Sequence, residues 1–129
     1  GKAVKMAVSE DFQEMHSLML RTLKRVDGMK IADMAAAIYE ITAYKDQIDD
    51  FLDLMMVWYR DVLILKASND VNSIIYKDEY RALYKKAETS SYEGLNNIFT
   101  AIETARERLR ANANFDWTME LLLVNIKEN

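Results

Sequence analysis

The chain has 129 residues, half of them hydrophobic and 29% charged, with three glycines and no proline or cysteine. That is enough chain to bury one ordinary core, while the shortage of turn residues excludes a fold of many short strands and tight turns. The missing cysteines exclude disulfides, thiolate metal sites and thiol nucleophiles, and a net charge of −4 argues against a duplex-binding module that works through phosphate contacts.

In chain order, Ser9 is placed to cap a first helix, with Glu10 and Asp11 in its acidic first turn. Phe12, Met15, Met19, Leu23 and Val26 then recur at helical spacing. Asp27-Gly28 reads as the stop, with the glycine in the left-handed conformation. Ile31, Met34, Ala35, Ile38 and Ile41 mark a second helix, to which Ala35, Ala36 and Ala37 lend strong propensity. A break is expected near 44–46. From about Gln47 to Lys66 a third helix is apolar on almost every face, with Asp50, Asp53, Arg60 and Asp61 as a narrow polar stripe. A helix of that kind is normally central in a bundle. Asn69, Asp70 and Asn72 form the next loop.

A shorter helix follows from about Asp78 to Thr89, presenting Tyr80, Leu83, Tyr84 and Ala87 on one side. Ser90-Ser91-Tyr92-Glu93 has the form of a capping box, with Ser90 as cap and Glu93 answering. A long fifth helix then carries Leu95, Ile98, Phe99, Ile102 and Leu109. The pairs Glu103–Arg106 and Glu107–Arg110 are expected on its outer face. Asn112-Ala113-Asn114 interrupts it. Asn114 can cap a last helix with Leu121, Leu122, Leu123 and Ile126. Five or six helices in an antiparallel, bundle-like all-α fold are the expectation. No apolar run approaches the roughly 20 residues needed to span a bilayer, and no signal peptide is evident. The Gly-Lys-Ala-Val start lacks a methionine, which points to a piece of a longer chain in which Gly1 is an added residue.

Chemistry is scarce along this sequence. His16 is the lone histidine. It lies beside the first apolar stripe, where a partly buried polar side chain is the better reading than a general base or ligand. A di-iron bundle needs two Glu-x-x-His pairs, and here Gln13 stands where the one candidate pair needs glutamate. Asp46, Asp49, Asp50 and Asp53 lack the glycine that an EF-hand loop requires at its sixth position, where Phe51 sits; they read as a solvated helix face. Gly28 and Gly94 stand alone, so no phosphate loop can be drawn. Arg106, Arg108 and Arg110 could form a basic face for DNA or RNA, with Arg106 and Arg110 on one side, but Glu103 and Glu107 interleave with them. Most of the eight methionines fall at core spacing: Met15, Met19, Met34, Met55 and Met119. Met56, Val57 and Ile64 do not. Periodicity puts Val57 and Ile64 near the polar stripe of Asp53 and Arg60. Either the helix is buried even there, or these residues face another chain.

Two stretches carry a family resemblance. One is Phe51-Leu52-Asp53-Leu54-Met55-Met56-Val57-Trp58-Tyr59-Arg60-Asp61-Val62-Leu63, leading to Lys66. The other runs through Ala101-Ile102, Ala105, Leu109 and Asn112-Ala113-Asn114 to Glu120-Leu121-Leu122-Leu123. Together, over roughly residues 45 to 126, they resemble the C-terminal domain of the delta-prime subunits of bacterial DNA polymerase III, which belong to the clamp loader. Trp-Tyr-Arg-Asp and Asn-x-Asn followed by Glu-Leu-Leu-Leu are the most specific parts. Ala113 stands where the family leads one to expect valine, and Met119 where it leads one to expect leucine; both changes stay apolar.

The resemblance implies a compact collar-type bundle occupying residues 1–129 as a single domain, with ATPase-type modules preceding it in the parent chain. In that family the domain packs beside its counterparts in the delta and gamma/tau subunits and holds a heteropentamer together. The implied protein is bacterial and cytoplasmic, a non-catalytic part of the DNA polymerase III holoenzyme in DNA replication. It has no catalytic, cofactor or metal residues, no small-molecule substrate, no membrane contact and only an indirect relation to DNA. The matching domain of a gamma/tau subunit, or a small nucleic-acid module built on Arg106 and Arg110, are the alternatives. Met56, Val57, Arg60 and Ile64 become candidate interface residues. Trp58 becomes a core anchor. Arg60 and Asp61 orient an interhelical or intersubunit hydrogen-bond network, unless they are a plain surface ion pair. Asn112 and Asn114 shape a turn and cap the last helix.

Overall fold

The structure, a computed structural model, describes the backbone of residues 2–129 and the side chains of residues 10–129. Gly1 lies outside the described residues. Six α-helices account for most of them: α1 (Lys2–Arg25), α2 (Ile31–Thr42), α3 (Ile48–Ser68), α4 (Tyr80–Thr89), α5 (Tyr92–Arg110) and α6 (Phe115–Glu128). Short 3-10 turns join α1 to α2, α2 to α3 and α3 to α4. Five helices close into a ring of packed pairs in the order α1, α3, α5, α6, α2 and back to α1. The remaining helix, α4, lies along α3.

The all-α bundle expected from periodicity is the one observed, and its core follows the apolar stripes. Met15, Met19, Met34, Met55 and Met119 are all buried. So are Phe51, Leu52, Trp58, Tyr59 and Val62 of α3, which is central as its all-round apolar composition requires. From α5 come Leu95, Ile98 and Ile102, and from α6 Leu122, Leu123 and Ile126.

Helix ends differ from the sequence reading at several points. Helix α1 begins at Lys2, so Ser9 is inside it rather than at its start. Gly28 is not left-handed, since no described glycine has a positive φ. The chain leaves α1 through a tight turn, Val26–Gly28, and becomes extended at Met29. The left-handed positions belong instead to Asn69 (φ 52°) and Asn112 (φ 61°), and asparagine tolerates that region better than other residues with a Cβ. Asn69 closes α3 with its amide on the Leu65 carbonyl, and Asn112 turns the chain between α5 and α6. The cap of α5 is Ser91, whose Oγ accepts from the Gly94 amide at 2.8 Å. Ser90 is buried and ends α4, donating its amide to the Lys86 carbonyl. With two serines in a row, the first serves the outgoing helix and the second the incoming one. Gly94 is also where α5 meets the end of α6: a Cβ there would lie 2.9 Å from the Asn129 carbonyl oxygen.

Helix α6 starts at Asn114, whose side-chain oxygen accepts the Trp117 amide at 2.8 Å. Asn114→Ala removes this acceptor from an otherwise unpartnered first-turn amide and should cost about 1 kcal/mol in thermal or urea unfolding. A variant as stable as the parent would mean the cap contributes nothing.

Candidate subunit interface

The four residues singled out on α3 have different surroundings. Arg60 is exposed, while Met56, Val57 and Ile64 are partly covered. Met56 and Ile64 pack against the edge of the core. Asp53, Val57, Arg60, Ile64 and Ala67 fall on one line along the helix at spacings of three and four, and this line remains the open side of α3, with the charged Asp53 and Arg60 alternating with the apolar Val57 and Ile64.

Asp61, expected on the polar stripe, is instead completely buried. One carboxylate oxygen, Oδ2, accepts the backbone amides of Ile75 (2.9 Å) and Tyr76 (2.8 Å). Its other oxygen has no hydrogen-bond partner and lies 3.6 Å from Arg60 Nη1. Asp61 therefore ties the loop before α4 to the middle of α3. The loop delivers Tyr76 onto the ring of Trp58, with centroids 5.7 Å apart. Tyr76 Oη in turn lies 2.9 Å from His16 Nε2. Burial, and then the charge of Asp61, push the Tyr76 phenol up to about 12, so it is neutral at any physiological pH.

His16 is thus a link in an internal polar and aromatic chain running from Phe12 through Tyr76 to Trp58. Burial lowers its pKa below the ordinary 6.5. A base whose folded-state pKa is depressed takes up its proton more readily when unfolded, so stability falls as pH drops below about 6.5 and levels off below the folded value. His16→Gln should flatten the fall in Tm between pH 7 and pH 5. Parallel profiles for the two proteins would show that His16 contributes nothing to it.

The basic face drawn through Arg106 and Arg110 does not exist as such. Arg106 is 9% exposed and crosses from α5 to the start of α3. Its guanidinium donates to Asp53 Oδ1 (2.6 Å) and Asp49 Oδ1 (3.0 Å), with Glu103 Oε1 3.8 Å away. Burial alone would lower its pKa, but the hydrogen bond and charge of Asp53, helped by Glu103 and Asp49, leave it raised. Arg110 also leans toward Asp49, at 3.6 Å. Part of the acidic run on α3 is therefore the counter-charge for α5. The charge alternation on α5 suggested pairing within the helix, and nothing in the local sequence marks a partner more than 50 residues away. Lys86 is buried similarly, donating to Asp27 Oδ1 at 2.9 Å.

The two most exposed large apolar side chains among the described residues lie elsewhere, on α2, and α6 presents a third. Ile31 is 76% exposed, Tyr39 83% and Trp117 57%. Ile31 and Ala35 were expected on the core face of α2, yet Met34, Ala37, Ile38 and Ile41 fill that role. The two charges of α2, Asp33 and Glu40, share a face and lie roughly opposite Ile31 and Ala35, so the sequence reads with the apolar stripe turned from its true position. Between α2 and α6 runs a groove of about 340 Å³, lined by Ile31, Ala35, Ile38, Tyr39, Thr42, Asp116 and Glu120. Among the described residues no group of His, Asp or Glu is placed to hold a metal ion, and no described helix is long and apolar enough to cross a membrane.

By class this is an all-α bundle whose buried charges are spent on joining its own helices. The family model described as DNA polymerase III, delta subunit, C terminal, matches residues 17–126, and the chain belongs to that family. It is similar to DNA polymerase III subunit delta' of Bacillus subtilis (strain 168), 23% identical over 134 residues. That alignment covers 99% of this chain and 40% of the relative, so the chain spans well under half of the relative's length. No solved structure matches significantly.

Proposed function

We propose that this domain is the collar of a clamp-loader subunit of the delta-prime kind. It takes no part in catalysis and holds its parent chain in a heteropentamer beside the delta and gamma/tau subunits during DNA replication. Membership of the family over residues 17–126 carries this reading. Residues 1–129 act in it as one helical domain, and the nucleotide-binding modules belong to the preceding part of the parent, which is bacterial and cytoplasmic. No cofactor or small-molecule substrate enters the role, and DNA is met only through the assembled loader. The open line of α3, with Met56, Val57, Arg60 and Ile64, supplies one contact with a neighbour. Trp58 and Asp61 keep that line in shape from beneath, and Asn112 and Asn114 set the direction of α6.

The role is tested by reconstitution. The full-length parent subunit, with and without this domain, is mixed with the purified remaining loader subunits of the same organism and sized by light scattering after gel filtration. Loss of the stoichiometric complex on removing the domain is the expected result. A complex formed equally well without it would refute the collar role.

A further inference from the structure

We infer that the α2–α6 face is a second subunit contact, and that it receives an amphipathic helix of a neighbouring loader subunit whose apolar stripe is bordered by Lys or Arg. The inference rests on the collar reading and deepens it. In the ring of packed helices, α3 lies across from the edge where α2 meets α6. A member of a closed or nearly closed assembly touches a neighbour on each of two sides. The open line of α3 serves one side, and the α2–α6 face is the apolar surface on the other.

Three observations specify the occupant. Ile31 and Tyr39 are more than three-quarters exposed and stand about two turns apart on one helix, and Trp117, in the first turn of α6, is 57% exposed. Aromatic side chains held out from rigid helices are the residues that dominate binding energy at protein interfaces. The 340 Å³ groove that Ile31 and Tyr39 line, with Ala35 and Thr42 as small residues on its α2 wall, has room for the side chains of an incoming helix. Its charged lining is acidic only: Asp116 and Glu120 border it, and neither forms an ion pair among the described residues. A second copy docked by the same face would bring another Asp116 and Glu120 against the first pair. The charge therefore selects a different chain, one that brings cations.

The test uses the full-length parent with the other loader subunits, as above. Ile31→Glu with Tyr39→Glu changes two exposed positions and should leave Tm within a few degrees of the parent. It should weaken complex formation about tenfold or more. Glu120→Lys should also weaken it, and should reduce the loss of affinity that added salt causes in the unaltered protein. Val57→Glu with Ile64→Glu is the comparison on the other side. If the complex needs this domain but Ile31→Glu with Tyr39→Glu binds as the unaltered protein does, the α2–α6 assignment is wrong and the collar reading survives. If the complex does not need the domain, both fall. If the domain instead forms a homodimer that the Ile31 and Tyr39 changes dissolve, the assignment to a different, basic partner is overturned.

Discussion

Replacing Trp58 with alanine should lower the free energy of unfolding by about 4 kcal/mol. Trp58 is 2% exposed and among the largest fully buried side chains. It sits midway along α3, the helix that packs against α1, α4 and α5 together, and its ring meets that of Tyr76. Truncation opens a cavity bordered by several helices at once, which cannot close without moving all of them, so the cost belongs toward the upper part of the range for large-to-small changes. For a domain whose whole stability is on the order of 5–15 kcal/mol, that is a large fraction. Urea unfolding followed by far-UV circular dichroism would report it as a lower midpoint at unchanged slope. A loss below about 2 kcal/mol would mean that the surrounding helices collapse onto the space and that Trp58 anchors nothing. Trp58→Phe retains most of the apolar volume and should cost less than half as much.

Why the apolar stripes of the core could be read from the sequence while Arg106 was set on an outer face and Asp61 on a polar stripe is a matter of range. Core membership follows from the spacing of apolar residues within one helix. That is local information, and α5 displayed it clearly, while α3 was marked as central by being apolar on almost every face. The burial of a charge depends on what arrives from elsewhere in the chain. Arg106 is covered because Asp49 and Asp53 reach it from α3, and Asp61 because two backbone amides of a loop 14 and 15 residues on are aimed at it. A charge at a helical position next to other charges reads as a solvated face, and only the fold reverses that. The α2–α6 face was hidden for the opposite reason. Ile31 and Ala35 look like core by residue type, and the charges of α2, Asp33 and Glu40, lie on the opposite side and do not contradict them. Helix existence was legible throughout. Caps were legible to within one residue at Ser90–Ser91 and at the right residue for α6, but not at α1, where Ser9 is the kind of residue that caps helices yet stands inside one.

Asp61→Ala should cost about 3 kcal/mol, and the comparison with Asp61→Asn separates the two things the carboxylate does. Its Oδ2 is the acceptor for the Ile75 and Tyr76 amides. Leaving a buried donor unpaired costs about 1–3 kcal/mol. Ile75 is an exposed residue, so water can recover part of the loss there, which keeps the sum near the middle rather than the top of the range for two amides. The second oxygen gains little: it has no hydrogen bond, and Arg60, at 3.6 Å, is half exposed and so weakly coupled. Asparagine keeps an oxygen for the two amides but gives up the charge that strengthens both bonds, and it should cost about half as much as alanine. Because Tyr76 carries the connection onward to Trp58 and His16, hydrogen exchange of the Tyr76 amide should accelerate sharply in the alanine variant and modestly in the asparagine one. The changes at Asp61 and Trp58 should also combine to less than their sum, since each loosens the same Tyr76 contact. If alanine and asparagine cost the same, the charge rather than the acceptor holds the loop. If neither costs more than about 1 kcal/mol, the loop before α4 is held by the burial of Ile74 alone, and Asp61 is a passenger in the core.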